Sequence, residues 1–287
     1  MSNSSPNSIG ARIARNFGRG WLLAGYLFLY VPMIALMVLS FNHSRVPSQW
    51  GGLSLEWYSK LANDSEILSG LWNSMKIATF SATGAVVLGT LAAFALVKYK
   101  RFKGRTLFSG MINAPLVMPD VVQGLSLLLM IVAIQRIVAF EKGLFTIWLG
   151  HLMIGMSYAT VVVQARLSEL NPQLEEAAMD LGARPWQVFT LVTFPMIGQA
   201  LASAWLLTFS LSLDDVVIAA FLSGPGSTTM PLVIFSRARL GLDPSVNAVA
   251  TVIIVVVATC VALASLWAVR QERRRQAEIS AAKRDDA

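Results

Sequence analysis

The 287 residues are 55% hydrophobic, only 14% charged and carry a net charge of +7, with a mean hydropathy of +0.60. A soluble domain holds about 25% charged residues, so most of this chain is built for lipid. The positive balance does not indicate nucleic acid, because Lys and Arg sit at the edges of apolar runs and no groove-entering basic motif occurs.

A spanning helix needs ~20 mostly apolar residues. Six runs qualify, at 21–41, 71–97, 107–134, 144–164, 196–222 and 246–269. Backbone groups in lipid must pair internally, so all six are read as helices. Residues 1–20 form a polar and basic tail, with disorder expected over 1–9. The first run follows Arg12, Arg15 and Arg19. It is longer than the ~7–15 residues of a signal-peptide core and no small-x-small site follows, so it reads as an uncleaved span. The connection 42–70 holds Trp50, Trp57 and Tyr58 and is expected to fold against the membrane surface. The second and third runs are joined through Lys98, Lys100, Arg101, Lys103 and Arg105. The fourth and fifth are joined through Arg166 and Arg184, and the connection 223–245 opens on the turn Ser223-Gly224-Pro225-Gly226. Residues 270–287 add Arg270, Arg273, Arg274, Arg275, Lys283 and Arg284, with disorder expected after about Gln276.

Sixteen of the 23 basic residues therefore fall on one side, which puts both termini in the cytoplasm. Trp21, Trp72, Trp148 and Trp267 lie near run ends, where aromatic belts form. The expected architecture is one all-α, six-span domain over residues 21–269. The single cysteine, Cys260, allows no internal disulfide or cysteine-based metal site. His43 and His151 lack ligand spacing, so no metal is expected, and His151 reads as an interfacial or packing residue.

The loop 166–195 contains a helix that can be delimited from its ends. Asn171 suits the N-cap and Pro172 the first helical position. Glu175 and Glu176 lie near the positive helix end, and Gly182 fits the left-handed residue beyond the last turn. Leu174, Ala177, Ala178 and Leu181 make one apolar face of a helix over about 172–181. A second short helix can begin at Pro185, and Pro195 closes the loop. Such a helix either docks a soluble partner or folds back on its own bundle, and spacing alone leaves both open.

Glu176-Ala177-Ala178, Gly182 after three further residues, and Pro195 at the matching distance resemble the EAA loop of binding-protein-dependent ABC importer permeases. Val192 and Phe194 stand where that loop has Ile and Leu. The resemblance implies the type I ABC importer permease fold and a coupling helix that docks on a separate ATPase. Glu175, Glu176, Ala177, Ala178, Asp180, Gly182 and Pro195 would make or shape that contact, with Glu176 as its polar group and Ala177 and Gly182 permitting tight packing and the turn. The chain has no Gly-Lys dipeptide and hence no P-loop. It is therefore expected to be a transporter subunit and not an enzyme, with no cofactor of its own, ATP and Mg being used by the partner ATPase. No nucleophile–base–orienter set is visible.

Charges inside spans are costly and mark functional sites by default. Asp120 follows Pro115 and Pro119, each of which removes a helix N–H and frees carbonyls. Asp214 and Asp215 fall in the second half of the fifth run, about 100° apart on a helix and so aimed at different targets. Together they suit a pathway for a cationic solute, to which Trp205 and Tyr158 could add cation–π contacts. The alternative is structural, with the acids capping a broken helix or pairing with Arg237, Arg239 or a second permease subunit. The segments 114–120, 211–215 and 223–226 are similar to putrescine permease subunits of the second-permease type. That resemblance implies a polyamine importer of the bacterial inner membrane working by alternating access. Its partners would be an ATPase dimer, a second and different permease, and a periplasmic binding protein. Another solute (iron, thiamine, an anion) on the same fold, or an ion-gradient-driven secondary transporter, are the competing readings.

Overall fold

The computed structural model describes residues 9–44, 46, 49–99, 101–240 and 244–285. In chain order they form α1 (Ile9–Leu39), α2 (Glu56–Ala62), α3 (Ser65–Lys98), α4 (Arg105–Val117), α5 (Asp120–Gln135), α6 (Leu144–Glu169), α7 (Pro172–Asp180) and α8 (Pro185–Val188). A π-helical turn, Phe189–Thr193, then leads into α9 (Phe194–Asp214), α10 (Val217–Leu222), α11 (Met230–Leu240) and α12 (Pro244–Asp285). No strand occurs among the described residues beyond one isolated bridge, Asn42 to Leu53. Among the described residues five helices are long and apolar enough to cross a membrane, or six if the bent pair α4 and α5 is one span. The disorder expected for residues 1–8, the side chains of Arg12, Arg15 and Trp267, and Lys100 lie outside the described residues. Disorder after Gln276 is not found, since the α12 backbone stays helical to Asp285.

The chain forms two compact units, Met1–Asp64 with Arg237–Ala287, and Ser65–Ser236. In the first, the most apolar stretch of α1 buries nothing within the chain. An apolar helix so exposed must be covered by lipid or by another subunit. After α1 the chain folds around Asn42, which is 2% exposed. Its amide donates to the Gln49 carbonyl (2.8 Å), its Oδ1 accepts from Gly51 N–H (2.8 Å), and its carbonyl accepts from Trp57 Nε1 (2.8 Å). Arg237 donates in bidentate fashion to Asp64, at 2.7 and 3.0 Å. Arg237, considered as a partner for the intramembrane acids, is thus paired with Asp64 inside this unit.

The second unit is a bundle of α3, α6 and α9. Helix association in lipid depends on close packing, and α3 offers small residues to it: Ala78, Ala82, Ala85, Gly89 and Ala93 are buried. At Gly89 a Cβ would lie 2.8 Å from Ala159 Cβ and 2.9 Å from the Thr160 nitrogen, so α3 and α6 meet backbone to backbone. Two apolar clusters flank the middle of the bundle. One joins Ile77, Ile131, Ile147, Ile218 and Leu222, and the other joins Ala93, Ala159, Val163, Ile197 and Ala204.

Two of the six expected runs are not single helices. The third breaks between α4 and α5, which are bent by 117°, far beyond a kinked crossing. Proline explains the break: Pro119 has no N–H for the Pro115 carbonyl. Gln123, 3% exposed, replaces it, its amide donating to the Pro115 carbonyl (2.9 Å) and to the Met118 carbonyl (2.8 Å). The fifth run starts earlier and stops sooner than expected. The chain is helical from Pro185 to Asp214, and 217–222 form the separate α10. Pro195 does not close the loop but lies inside this continuous helix, in the first turn of α9 and directly after the π turn, whose wider spacing is seen in the bond from Phe194 N–H to the Phe189 carbonyl.

Candidate functional site

A cavity of about 390 Å³ opens within the second unit where both broken segments meet α6. Its wall carries Asp120, Tyr158, Asp214 and Asp215, four of the five residues expected along a solute pathway, together with His151. No Lys or Arg lines it. Three carboxylates in a low-dielectric cleft without counter-cations focus a negative potential into it.

The helix breaks present these acids. Asp120 is the first residue of α5, beside its positive end. Asp214 ends α9, and Asp215 is already extended, at ψ 128°. The expected 100° divergence therefore does not apply, because only one of the two is helical, and both face the same cavity. Asp215 is heavily engaged. Its carboxylate accepts from the Ile218 N–H (3.3 Å) and the Ala219 N–H (2.8 Å), closing the start of α10, and contacts His151 Nε2 at 3.1 Å. Asp120 and Asp214 form no ion pair among the described residues. Trp205 lies off the wall: its Nε1 donates to Thr83 Oγ1 (3.1 Å) and its ring stacks on Phe209 at 5.0 Å.

Sequence reasoning left out His151, Ser212 and Gln123. His151, 6% exposed, does more than pack, its Nδ1 lying 2.6 Å from Ser212 Oγ. Polar residues in apolar runs were the available signal, but the partners come from 61 to 64 positions away. Among the described residues no group of three or more His, Cys, Asp or Glu converges to hold a metal ion.

The second feature is α7. Asn171 Oδ1 accepts from the Gln173 N–H (3.1 Å), as an N-cap should. At the other end Ala183 N–H bonds to the Ala178 carbonyl (3.0 Å) and Gly182 N–H to the Met179 carbonyl (2.9 Å), a complete Schellman closure. It requires the left-handed φ of +87° at Gly182. No residue of α7 is buried, and Leu181 is 90% exposed. Leu174 and Met179 are exposed too, as is Trp186 of α8. Glu176, Ala177 and Asp180 are exposed and Ala178 is half-buried.

Glu175 is different from its neighbour. It pairs with Lys98 at the end of α3 and accepts from Thr193 Oγ1 (2.8 Å) in the π turn. Burial alone would raise its pKa, but the Lys98 and Thr193 hydrogen bonds and the Lys98 charge together hold the carboxyl below its ordinary value. Glu175 thus fastens α7 to the bundle, while Glu176 faces outward.

Residues 85–277 match the family described as binding-protein-dependent transport system inner membrane component. The chain is 47% identical over 265 residues to the putrescine transport system permease protein PotI of Escherichia coli (strain K12), covering 92% of this chain and 94% of that one. It is 37% identical over 243 residues to the spermidine/putrescine transport system permease protein PotC of the same strain, covering 85% and 90%. Its fold is similar, with a TM-score of 0.68 over 91% of this chain and 99% of the other at 18% identity, to a bacterial ABC transporter involved in the import of the acidic polysaccharide alginate. An all-helical bundle with 117° of bend in one segment, an exposed capped loop helix and this kinship agree: the chain belongs to the family of binding-protein-dependent ABC importer permeases, inner-membrane transport subunits and not enzymes.

Proposed function

We propose that this subunit carries putrescine or a related polyamine across the bacterial inner membrane by alternating access. The observation that carries the reading is the cavity itself, with three carboxylates and no cationic side chain on its wall. An alkyl diamine brings an ammonium at each end, and Asp120 and Asp214 are open to receive them. Tyr158 adds a ring face and hydroxyl on the same wall. The kinship to permease proteins of putrescine and spermidine/putrescine systems supports the same solute class.

Residues 21–269 act as one permease domain with both termini in the cytoplasm, a placement supported by the distribution of Lys and Arg. The exposed apolar residues of α7, with Glu176 and Asp180 beside them, form the docking surface for an ATPase dimer. A second, different permease pairs with this chain, and a periplasmic binding protein delivers the solute. ATP and Mg belong to the ATPase partner.

Labelled putrescine uptake into intact cells, with and without the gene and at a fixed membrane potential, tests the reading. Gene-dependent uptake that stops on ATP depletion is expected, and Asp214→Asn should raise KM about tenfold, the loss of one charge-assisted contact. Uptake that continues without ATP, or none attributable to the gene for putrescine or spermidine, refutes it.

A further inference from the structure

Three carboxylates line the cavity, yet they are not equivalent. Asp215 Oδ1 is taken by the Ile218 N–H, and Oδ2 by the Ala219 N–H and His151 Nε2. Behind His151 runs a chain of hydroxyls. Ser81 Oγ donates to Ser212 Oγ at 3.1 Å, and Ser212 Oγ lies 2.6 Å from His151 Nδ1. Ser81 and Ser212 are buried, at 1% and 9% exposure. Ser81 Oγ has two acceptors in reach, the Ala78 carbonyl at 3.3 Å and Ser212 Oγ at 3.1 Å; with its proton on the nearer Ser212, the Ser212 proton goes to Nδ1, which leaves the ring proton on Nε2, aimed at Asp215. The Nε2–H tautomer thereby completes every hydrogen bond in the row, from α3 through α9 and α6 to the start of α10.

We infer that His151 is a positioning residue for selectivity: by holding Asp215 against α10, it leaves the pathway two open carboxylates, Asp120 and Asp214, and so favours a dication over a trication. This rests on the polyamine reading. The other titratable groups lining the cavity are Asp120 from α5 and Tyr158 from α6, besides Asp214. Among the described residues none of these is hydrogen-bonded to Asp215, whose side-chain donor is His151. Loss of the Nε2–H frees an Asp215 lone pair into the cavity and creates a third anionic contact, which a triamine can use and a diamine cannot.

The test is the ratio of kcat/KM for spermidine to that for putrescine, measured with the complete reconstituted importer and the same binding protein throughout. His151→Leu should raise that ratio on the order of tenfold, the worth of one charge-assisted hydrogen bond. His151→Gln restores an N–H toward Asp215 and should keep the wild-type ratio. The double variant His151→Leu/Asp215→Asn should also return to it, because the Asn carbonyl keeps the shorter bond, from the Ala219 N–H, but offers no charge. Ser212→Ala removes the donor that fixes the tautomer, and should shift the ratio the same way if His151→Leu does not assemble. An unchanged ratio in the assembled His151→Leu or Ser212→Ala importer, or a shift that survives Asp215→Asn, overturns the inference. A wild-type importer that moves neither amine defeats the polyamine reading first, before any variant is compared.

Discussion

Gln123 is the side chain on which the broken third segment depends most directly. Its amide donates to the Pro115 and Met118 carbonyls at 2.9 and 2.8 Å, and its Oε1 is buried with no partner. Gln123→Leu keeps the volume and removes both donors. In an apolar surrounding each carbonyl left without a donor costs about 1–3 kcal/mol, while removing the orphaned Oε1 returns about as much as one of them, so a net loss of about 2 kcal/mol is expected. For a chain of this size that is a fall of about 4–8 °C in the thermal midpoint.

The prediction has an internal control. Pro119→Ala restores an N–H four residues beyond the Pro115 carbonyl, so Gln123→Leu/Pro119→Ala should recover about half of the loss, a non-additivity that only a shared acceptor produces. Gln123→Glu should be worse than leucine, because a carboxylate facing two carbonyls has no proton to give. Thermal unfolding of the purified chain in lipid nanodiscs measures all three. A Gln123→Leu midpoint within about 1 °C of wild type, or no recovery with Pro119→Ala, would refute the assignment of Gln123 as the replacement donor.

Glu176→Lys should abolish uptake while membrane expression stays at the wild-type level, since it changes an exposed position on α7, and Gly182→Arg should do so by straining the left-handed φ that closes α7 as well; normal uptake in Glu176→Lys would remove α7 from the docking surface. Gly89→Leu should prevent stable folding altogether, because even a Cβ there meets Ala159 and Thr160 below 3.0 Å; protease resistance equal to wild type would sink this. The pKa of Glu175 is lowered in the folded chain from its ordinary 4.5. The carboxylate's stabilisation is therefore complete above about pH 4.5 and is lost as pH falls through the depressed folded value. Amide exchange in α7 should rise over that acid range and be fast at neutral pH in Glu175→Gln; equal protection of α7 in both proteins at pH 7 would contradict the clamp.

The helices of this chain were legible because lipid demands ~20 apolar residues and internal backbone pairing. The cap of α7 was legible as well, since Asn171, Pro172 and Gly182 are each chosen by local backbone geometry. What remained hidden depends on side chains meeting from distant positions. Asp214 and Asp215 look like neighbours on one helix until Asp215 is seen to accept two N–H groups from the next. The same holds for Glu175 and Glu176, adjacent acids that only Lys98 and Thr193 tell apart. A proline can be read as a helix breaker, yet 115 and 119 yield a 117° bend while 195 lies in a continuous helix, directly after a π turn. The difference lies in context: Gln123 stabilises the break in the third segment, whereas the proline of the fifth sits in the first turn of α9.

The two features of the site are joined by one continuous element. From Pro185 to Asp214 the chain stays helical for 30 residues, which at 1.5 Å per residue is about 45 Å, roughly the full depth of a bilayer with its headgroups. Its first end carries the π turn whose Thr193 holds Glu175 of α7, and its last residue is Asp214 on the cavity wall. Glu175 also pairs with Lys98, the last residue of α3, which packs along α9. A rigid displacement of α7 therefore bears on two of the three helices of the bundle at once. Under the proposed function, the soluble partner need not reach the solute: moving the near end of a stiff helix repositions an open carboxylate at its far end. His151 fixes Asp215 immediately beyond the tip of that helix.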